Sequence, residues 1–404
     1  MKRYFQDYWS GIKPAFQKHG DKLLFGIALA ILAAVLIVNF AGKKPIARMN
    51  IPSIVFTQWW QDYLEKDTLQ VLVNEFESIH KNIKIEINES SREDMRRGLF
   101  SPGSETAFSG DILALDPLWV PELLKKGVIE PPDSDMPLLS FIDILYYNVE
   151  ILKEAGFTKP PKTRTEFLNC LRAVTSAENG RWGLITEGIY DDFFPWIWSA
   201  GAQLIKDGKP ALTSRQVVDS LSFFAQLEKE GSIAPSAPGY GKLEDFISGR
   251  AVFMIAPANE IAIVRERMGE EKFSVSSVPT PDNYAGKTFS GSAGWTVGIN
   301  SASAHIEEAK LFAAFLADNV PLLAKKAGAI PENGSSAPSP DSPYSKVWDL
   351  AFAAEIARDF NGLPWTELEE IFKEELNALF AEESSPAETA AAIQKRWEEA
   401  LLPF

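Results

Sequence analysis

The chain has 404 residues, of which 46% are hydrophobic and 24% charged, and its formal net charge is −15. This length allows two or three domains, and the composition is that of a globular protein, which excludes a disordered, collagen-like or coiled-coil chain for the bulk of the sequence. The acidic charge argues against a nucleic-acid partner, and the single cysteine, Cys170, excludes an internal disulfide or a multi-cysteine metal site.

The first predicted element is an uncharged apolar run, residues 23–42, with the sequence LLFGIALAILAAVLIVNFAG. A helix of this length spans about 30 Å, the thickness of a hydrocarbon core. The alternative is a cleaved signal peptide, but Asn39 stands where cleavage after Ala41 requires a small residue. No cysteine follows the run, which excludes a lipoprotein anchor. We therefore predict an uncleaved transmembrane helix.

Basic residues flank this segment unequally, and the larger group precedes it. The flanking basic residues are Lys2, Arg3, Lys13, Lys18 and Lys22 before the run, and Lys43, Lys44 and Arg48 after it. This bias favours a cytoplasmic N-terminus. Residues 1–22 are then a cytoplasmic stub, residues 43–53 a linker, and the rest a domain on the periplasmic side of the inner membrane.

Short apolar strands alternate with amphipathic helices after the linker. Residues 54–56, 83–87 and 111–115 are predicted strands. Apolar residues at helical spacing predict a helix between the first two strands: Leu69, Leu72, Val73, Phe76 and Ile79. A helix over residues 119–126 is expected to end at Gly127. This order is typical of an α/β unit.

The middle of the chain repeats the alternation. Thr163-x-x-Glu166 and Thr213-x-x-Gln216 are predicted capping boxes that begin helices. Cys170 lies on the apolar stripe of the first of these helices, and nothing near it in sequence would lower the pKa of its thiol, so we interpret it as structural. Further strands are expected at residues 144–147, 252–255, 273–278 and 293–299.

The last part of the chain is mostly helical. A helix is predicted over residues 307–317, followed by the loop 331–343 with the sequence PENGSSAPSPDSP. The final helix is expected to begin at Ser385-Pro386-Ala387-Glu388, which combines an N-cap, a proline in the first turn and a capping glutamate.

Enzyme signatures are missing from the sequence. It contains neither Gly-x-Ser-x-Gly nor His-Glu-x-x-His, and its three histidines fit no metal-ligand spacing. Residues 286–288 (Gly-Lys-Thr) imitate the end of a phosphate loop, but Pro281 replaces its first glycine. The adjacent Asp191 and Asp192 are interpreted as a solvated turn. We therefore expect neither an enzyme, nor a cofactor, nor a bound metal.

Tryptophans cluster where predicted strands end. Trp59 and Trp60 follow the first strand, and Trp119 follows the strand at residues 111–115. Ligands of α/β sheets bind beyond the carboxyl ends of strands, and aromatic faces stack on sugars while polar side chains bond the hydroxyls. Packing in the core is the alternative, which stays open for Trp196 and Trp198 and is preferred for Trp348 and Trp397.

An ordered set of segments resembles the extracellular solute-binding proteins of the maltose-binding type. In chain order these segments are IVFTQWW, LQVLVNEFESIHKNIKIEI, GDILALDPLWVPELLKKGVIEP, LYYNVEILKEAGFTKPPKTRTEFL, EDFISGRAVFMI, FSGSAGWTVGIN, EEAKLFAAFLAD, GAIPENGSSAP and SSPAETAAAIQKRWEEAL. The resemblance covers nearly everything after residue 50. No single segment is very specific to this family, whereas the whole set in this order is specific to it.

The resemblance implies a two-lobe α/β fold of the periplasmic-binding-protein type behind the transmembrane helix. Lobe 1 would comprise residues 54–143 and 290–335, and lobe 2 residues 144–289 and 336–404. The lobes would close by a hinge on a small-molecule ligand, expected to be a sugar, for an ABC importer and its permease subunits. The implied ligand-binding residues are Trp59, Trp60, Asp116, Trp119, Tyr190, Phe194, Trp196, Asn259, Trp295 and Trp365.

Two features depart from the family pattern. Members are usually released by signal cleavage or tethered through a lipidated cysteine, whereas a transmembrane helix is predicted here. Only residues 131–144 fill the segment in which the family carries its first crossover, so we expect that crossover strand to be missing. The alternative hypothesis is therefore a module with reduced ligand binding that acts as a structural or regulatory partner of other envelope proteins.

Overall fold

The computed structural model describes residues 51–100, 110–131, 137–186, 190–234, 241–291, 294–329, 345–356 and 363–402. Pro52–Phe404 form one compact unit. The predicted transmembrane segment 23–42 and the predicted loop 331–343 lie outside the described residues. None of the helices within the described ranges combines the length and the apolarity that a bilayer crossing requires.

Thirteen strands alternate with helices in the described ranges. In chain order the strands are β1 (Ser53–Gln58), β2 (Lys84–Glu89), β3 (Ile112–Leu115), β4 (Pro137–Ser140), β5 (Asp143–Asn148), β6 (Trp182–Ile185), β7 (Ile205–Lys206), β8 (Lys209–Pro210), β9 (Ala251–Pro257), β10 (Phe273–Ser276), β11 (Thr288–Ser290), β12 (Gly294–Ile299) and β13 (Ala354–Ile356).

The strands form two main sheets. The first has five strands in the order β2-β1-β3-β12-β4, with β1 parallel to both β2 and β3. The second has four strands in the order β10-β5-β9-β6, with β6 parallel to β9 and β5 antiparallel to β9. Two short pairs complete the described set, β11 with β13 and β7 with β8.

The helices of the described ranges cover the two sheets. In chain order they are α1 (Thr68–Ile79), α2 (Arg92–Phe100), α3 (Val120–Lys125), α4 (Val149–Glu154), α5 (Arg164–Val174), α6 (Tyr190–Ser199), α7 (Arg215–Lys229), α8 (Lys242–Ile247), α9 (Glu260–Met268), α10 (Ile306–Asp318), α11 (Val320–Ala327), α12 (Ser345–Ala353), α13 (Trp365–Phe380) and α14 (Pro386–Ala400).

Each main sheet has its own hydrophobic core. The first lobe consists of β1–β4 and β12 with α1–α3, α10 and α11, and its core includes Phe56, Phe76 and Phe312. The second lobe consists of β5, β6, β9 and β10 with α4–α9 and α12–α14. Its larger core includes Phe167 and Trp397. The predicted α/β organisation is therefore present. The first lobe has one hydrophobic cluster among the described residues and the second has two, the further one including Tyr146, Phe246 and Met254.

Local sequence signals place several helix ends. The capping boxes at Thr163–Glu166 and Ser385–Glu388 are both formed, each with the side-chain and the return hydrogen bond. Gly127, just past the end of α3, adopts the left-handed backbone (φ +66°) expected of a helix-ending glycine. The predicted capping box at Thr213-x-x-Gln216 is wrong, because Ser214 is the N-cap of α7 and its side chain makes no cap hydrogen bond.

Two residues that the sequence assigned to the core are buried there. The thiol of Cys170 is free and buried, and its burial, with a smaller contribution from Glu166, raises its pKa to about 11, as expected of a structural cysteine. Trp397 is fully buried and donates its Nε1–H to the Leu368 carbonyl oxygen at 2.9 Å. The side chain of Trp348 lies outside the described residues.

The chain passes from the first sheet to the second inside the segment that was expected to lack a crossover strand. That expectation is wrong, because β4 forms within residues 131–144 and pairs with β12. Only Phe141 and Ile142 separate β4 from β5, which belongs to the second sheet. The crossover is therefore present in a shortened form.

Close backbone packing holds this crossover together. A Cβ added at Gly294 would collide with the carbonyl oxygen of Leu139 on the neighbouring strand. On the same strand, a Cβ at Gly298 would meet the side-chain ends of Leu115 and Ile129 at 2.6 and 3.0 Å. Side-chain ends can shift, whereas the Leu139 backbone is fixed by its pairing with Trp295.

We expect Gly294→Ala to destabilise the protein by about 2–3 kcal/mol, because it forces β4 and β12 apart. Gly298→Ala is the matched control on the same strand, with an expected cost of about 1 kcal/mol. Thermal unfolding monitored by tryptophan fluorescence measures both. Equal losses in the two variants would contradict the close backbone contact at the crossover.

Candidate functional site

The parallel strands of the first sheet bring their carboxyl ends to one edge. Trp59 and Trp60 follow β1, Arg92 begins α2 shortly after β2, and Asp116 follows β3. Because parallel strands end on the same side of a sheet, these residues lie along the edge where ligands of α/β sheets bind. We call this edge the first-lobe edge.

A buried ion pair lies in the first-lobe edge. The Asp116 carboxylate is fully buried, accepts a hydrogen bond from Leu118 N at 3.0 Å and binds Arg92 Nη2 at 2.5 Å. The Arg92 guanidinium lies 5.3 Å from the ring centre of Trp119, which contacts Trp59 with ring centres 5.5 Å apart. The Asp116 charge is therefore neutralised by Arg92, a residue that sequence reasoning missed.

Two further tryptophans of the first lobe stack on each other. The rings of Trp60 and Trp295 are nearly parallel, with centres 5.1 Å apart, and Phe141 of the crossover packs edge-on against Trp295 at 5.1 Å. Trp60 is fully buried, and its Nε1–H has no hydrogen-bond partner among the described residues. The crossover and the first-lobe edge are thus joined through aromatic contacts.

Exposed carboxylates border the same edge. Asp62 follows β1 and Glu89 ends β2. Partial burial, together with the nearby Glu89 carboxylate, raises the pKa of Asp62 above its ordinary value. This negative rim disfavours an anionic ligand. Across the described ranges, no group of three His, Cys, Asp or Glu side chains is arranged to hold a metal ion.

The second sheet supplies a corresponding edge. β6 and β9 are parallel, and Asn259 follows β9 at its carboxyl end, directly before α9. Asn259 is buried but does not cap α9 with its side chain. Within the part of the chain that the structure describes, its Oδ1 has no hydrogen-bond partner. The amide oxygen is therefore an acceptor available to a bound group.

The aromatic candidates of the second lobe form a separate group. Phe194 contacts Trp365 edge-on with ring centres 5.5 Å apart. Trp196 packs between Phe167 and Phe223, at 5.0 and 5.1 Å, inside the second-lobe core. Tyr190 begins α6, but its side chain lies outside the described residues. Trp198 is also part of this core.

The structure contradicts the interpretation of Asp191 and Asp192 as a solvated turn. Both belong to the first turn of α6, and Asp192 is buried against Lys242, whose Nζ lies 2.9 Å from Asp192 Oδ1. No local sequence signal joins these residues, which are 50 positions apart. The pair fixes the start of α6 against α8 instead of pointing to solvent.

Contacts between the two lobes include two sets of elements beside the candidate residues. α9 of the second lobe meets the turn Trp60–Tyr63 of the first. α13 of the second lobe meets Pro117–Trp119 and α3 of the first, and Leu118 packs against both hydrophobic cores. The candidate residues of each edge therefore lie next to the contacts between the lobes.

The candidates thus fall into three sets. Trp59, Trp60, Asp116, Trp119 and Trp295 come together in the first lobe. Phe194 and Trp365 contact each other in the second lobe. Asn259 directly precedes α9, the helix that contacts the turn Trp60–Tyr63 of the first lobe. The contacts of Trp196 are those of a core residue. The helix α2, with its arginines, was not expected from the sequence.

Comparison with known proteins shows which family profile the sequence matches and which solved structures share its fold. The sequence profile of the bacterial extracellular solute-binding proteins matches residues 62–320. A "Probable ABC transporter-binding protein" of Deinococcus radiodurans is 26% identical over 204 residues, which are 47% of this chain and 48% of that relative. The chain thus matches less than half the length of the curated relatives.

Solved structures share the fold over almost their whole length. The GacH receptor of Streptomyces glaucescens, solved unliganded and with acarbose, aligns with a TM-score of 0.72 at 18% identity, over 87% of this chain and 98% of that one. Maltose-bound MalE3 of T. maritima aligns with a TM-score of 0.67 at 21% identity, over 87% of this chain and 100% of that one. These similarities show a two-lobe periplasmic-binding-protein fold.

We expect Asp116→Ala to cost about 2–4 kcal/mol of stability, because it removes the cap of Pro117–Trp119 and leaves Arg92 without its buried partner. Asp219→Ala is the control, since its ion pair with Arg215 is solvent-exposed and long at 3.5 Å. It should change stability by no more than about 0.5 kcal/mol. A similar melting temperature for the two variants would show that the Arg92–Asp116 pair does not stabilise the edge.

Proposed function

Because the chain belongs to the family of bacterial extracellular solute-binding proteins, we propose that it captures a carbohydrate between its two lobes for an ABC importer. The proposal rests above all on two buried polar atoms, Trp60 Nε1 and Asn259 Oδ1, for which the described residues supply no partner. Leaving such an atom unpaired costs about 1–3 kcal/mol, so a bound group is the physical reason to keep it.

These two atoms match a hydroxyl group in hydrogen-bonding character. The indole N–H only donates and the amide oxygen only accepts, whereas a hydroxyl does both. Trp60 belongs to the turn Trp60–Tyr63, and Asn259 directly precedes α9, the two segments that meet between the lobes. A polyhydroxylated ligand between the lobes would satisfy both atoms only when the lobes are together.

The aromatic residues and the charges support a neutral sugar. Trp59, Trp119, Trp295 and Trp365 are buried in the two cores beside the lobe contacts, and parting of the lobes would have to expose a ring face before it could stack on the apolar face of a sugar. The Asp116 charge is already neutralised by Arg92, and the Asp62–Glu89 rim disfavours anions. Proteins of the same fold were solved with acarbose and with maltose.

The proposed mechanism is closure of the lobes about the crossover between β4 and β5. A ligand that touches both edges shifts the population towards the arrangement in which the lobes meet. Capture and release change no covalent bond, so this role uses no catalytic group and no cofactor. The name of the Deinococcus relative supports an ABC importer, with its permease subunits, as the partner.

Isothermal titration of the chain with maltose and maltotriose tests the sugar proposal. We expect wild type to bind, and both Trp60→Phe and Asn259→Ala to bind about three- to tenfold more weakly, because each loses about one hydrogen bond to the ligand.

Trp397→Phe is the matched control. It also removes an indole N–H, but one that donates to Leu368 inside the second-lobe core, so it should lower stability and leave affinity unchanged. A folded wild-type protein that binds neither these sugars nor others in a library would overturn the carbohydrate proposal. That result would favour the module with reduced ligand binding.

We also propose that residues 23–42 anchor the protein as a single-pass helix in the inner membrane, with the main domain on the periplasmic side. The uncharged run, the excess of preceding basic residues and Asn39 at the would-be cleavage site support this arrangement. A family described as extracellular agrees with the extracytoplasmic side.

We expect the full chain to stay in the membrane pellet after carbonate extraction and to be digested by protease added to spheroplasts. Asn39→Ala is the informative variant, because it gives the small-x-small pattern before the bond after Ala41 that signal peptidase requires. It should release part of the domain into the periplasm. A wild-type N-terminus at Gly42, found by mass spectrometry, would show that the segment is a cleaved signal peptide.

A further inference from the structure

An ion pair joins the two lobes at the contact between α2 and α13. Arg96 of the first lobe places its Nη2 3.1 Å from Oε2 of Glu369 in the second lobe, and the two residues are 273 positions apart. Met95 and Leu99 anchor α2 in the first-lobe core, whereas Leu368 and Ile371 anchor α13 in the second-lobe core. The two charges therefore belong to bodies that separate if the lobes part.

The same helix faces carry the residues of the candidate site. Arg92 and Arg96 are four residues apart on α2, and Trp365 and Glu369 are four residues apart on α13, so each pair shares one face. Arg92 binds Asp116 and lies over Trp119 in the first-lobe edge. The contact between the lobes is thus one helical turn from groups proposed to surround the ligand.

The burial of the pair gives it an energetic role. The Glu369 side chain is only 9% exposed and that of Arg96 is 30% exposed. A fully exposed ion pair contributes little, but a partly desolvated, hydrogen-bonded pair contributes more. When the lobes part, the bond is lost and both groups regain water. The pair therefore favours the arrangement in which the lobes touch.

We propose that Arg96 and Glu369 form a latch that stabilises the closed arrangement of the lobes without touching the ligand. They are positioning residues, and they set affinity through the fraction of molecules that is closed. The effect on affinity rests on the carbohydrate-binding function proposed above. The effect on closure does not, because the ion pair acts whichever ligand is bound.

Closure is measured first in the full chain without any ligand. Single-molecule FRET between dyes at Val71→Cys in the first lobe and Lys395→Cys in the second reports the separation of the lobes, and both positions are exposed. Cys170 is buried and should not be labelled. We expect Arg96→Gln and Glu369→Gln each to lower the closed-to-open ratio about three- to tenfold.

Neighbouring residues provide matched controls for charge. Arg97→Gln removes the same charge from α2, but Arg97 is 66% exposed and pairs with Asp94 on its own helix. Glu370→Gln removes an exposed carboxylate next to Glu369. Both controls should leave the closed-to-open ratio unchanged. A FRET distribution for Arg96→Gln that equals that of wild type and of Arg97→Gln would overturn the latch.

Maltose titration then tests the link to affinity. Arg96→Gln and Glu369→Gln should each weaken binding about three- to tenfold, and the double variant should be no weaker than either single one, because both remove the same interaction. The exchanged pair, Arg96→Glu with Glu369→Arg, should recover part of the affinity. Additive losses would indicate that the two residues act separately and would contradict the proposal.

The two proposals fail in different ways. If wild type binds no sugar but Arg96→Gln still shifts the FRET distribution, the latch stands and the carbohydrate function falls. If maltose binds wild type, Arg96→Gln and Glu369→Gln equally and their FRET distributions coincide, the latch is contradicted and the carbohydrate function stands. Salt gives a further readout, since raising ionic strength should weaken maltose binding by wild type more than by Arg96→Gln.

Discussion

The parallel pairing of β1 with β2 and β3, and of β6 with β9, is the constraint on which the rest of the structure depends. It brings the carboxyl ends of strands from distant parts of the chain to one edge of each sheet. The shortened crossover then holds the sheets together, since β4 lies beside β12 and only two residues separate it from β5. The candidate site exists because Asp116, Trp60 and Asn259 each follow a strand of one of these edges.

The pairing of the buried charges limits the classes of ligand that the candidate site can bind. Asp116 and Asp192 are both buried, and each has a cation within hydrogen-bonding distance, Arg92 and Lys242. Burying a paired charge yields little net stability, but losing one partner is costly, so these pairs chiefly fix the geometry of the edges. Trp60 Nε1 and Asn259 Oδ1, the two atoms proposed to meet the ligand, belong to neutral groups. Neutral hydroxyl groups therefore suit the proposed site better than an ionic ligand.

The sequence predicted those features whose causes are local. The periodicity of α1, the capping boxes at Thr163 and Ser385, and Gly127 after α3 each depend on residues within a few positions of one another. β4 was missed because prolines and short length hide a strand whose pairing partner, β12, is far along the chain. α2 was missed because Met95 and Leu99 are its only buried residues. The partner of Arg92 becomes visible only in the folded first lobe, and that of Arg96 only when the two lobes are assembled.

In the proposed closure of the lobes, the free energy would divide into two parts with different physical character. Hydroxyl groups that reach Trp60 and Asn259 would contribute short-range hydrogen bonds between neutral groups, which salt hardly affects. The Arg96–Glu369 pair contributes an interaction between full charges, which ionic strength screens to the extent that solvent reaches it. Because α2 carries both Arg92, which binds Asp116, and Arg96, a shift of that helix would move the Asp116 side of the first-lobe edge and the ion pair with Glu369 together. Affinity in this protein would then depend on a helix that need not contact the ligand at all.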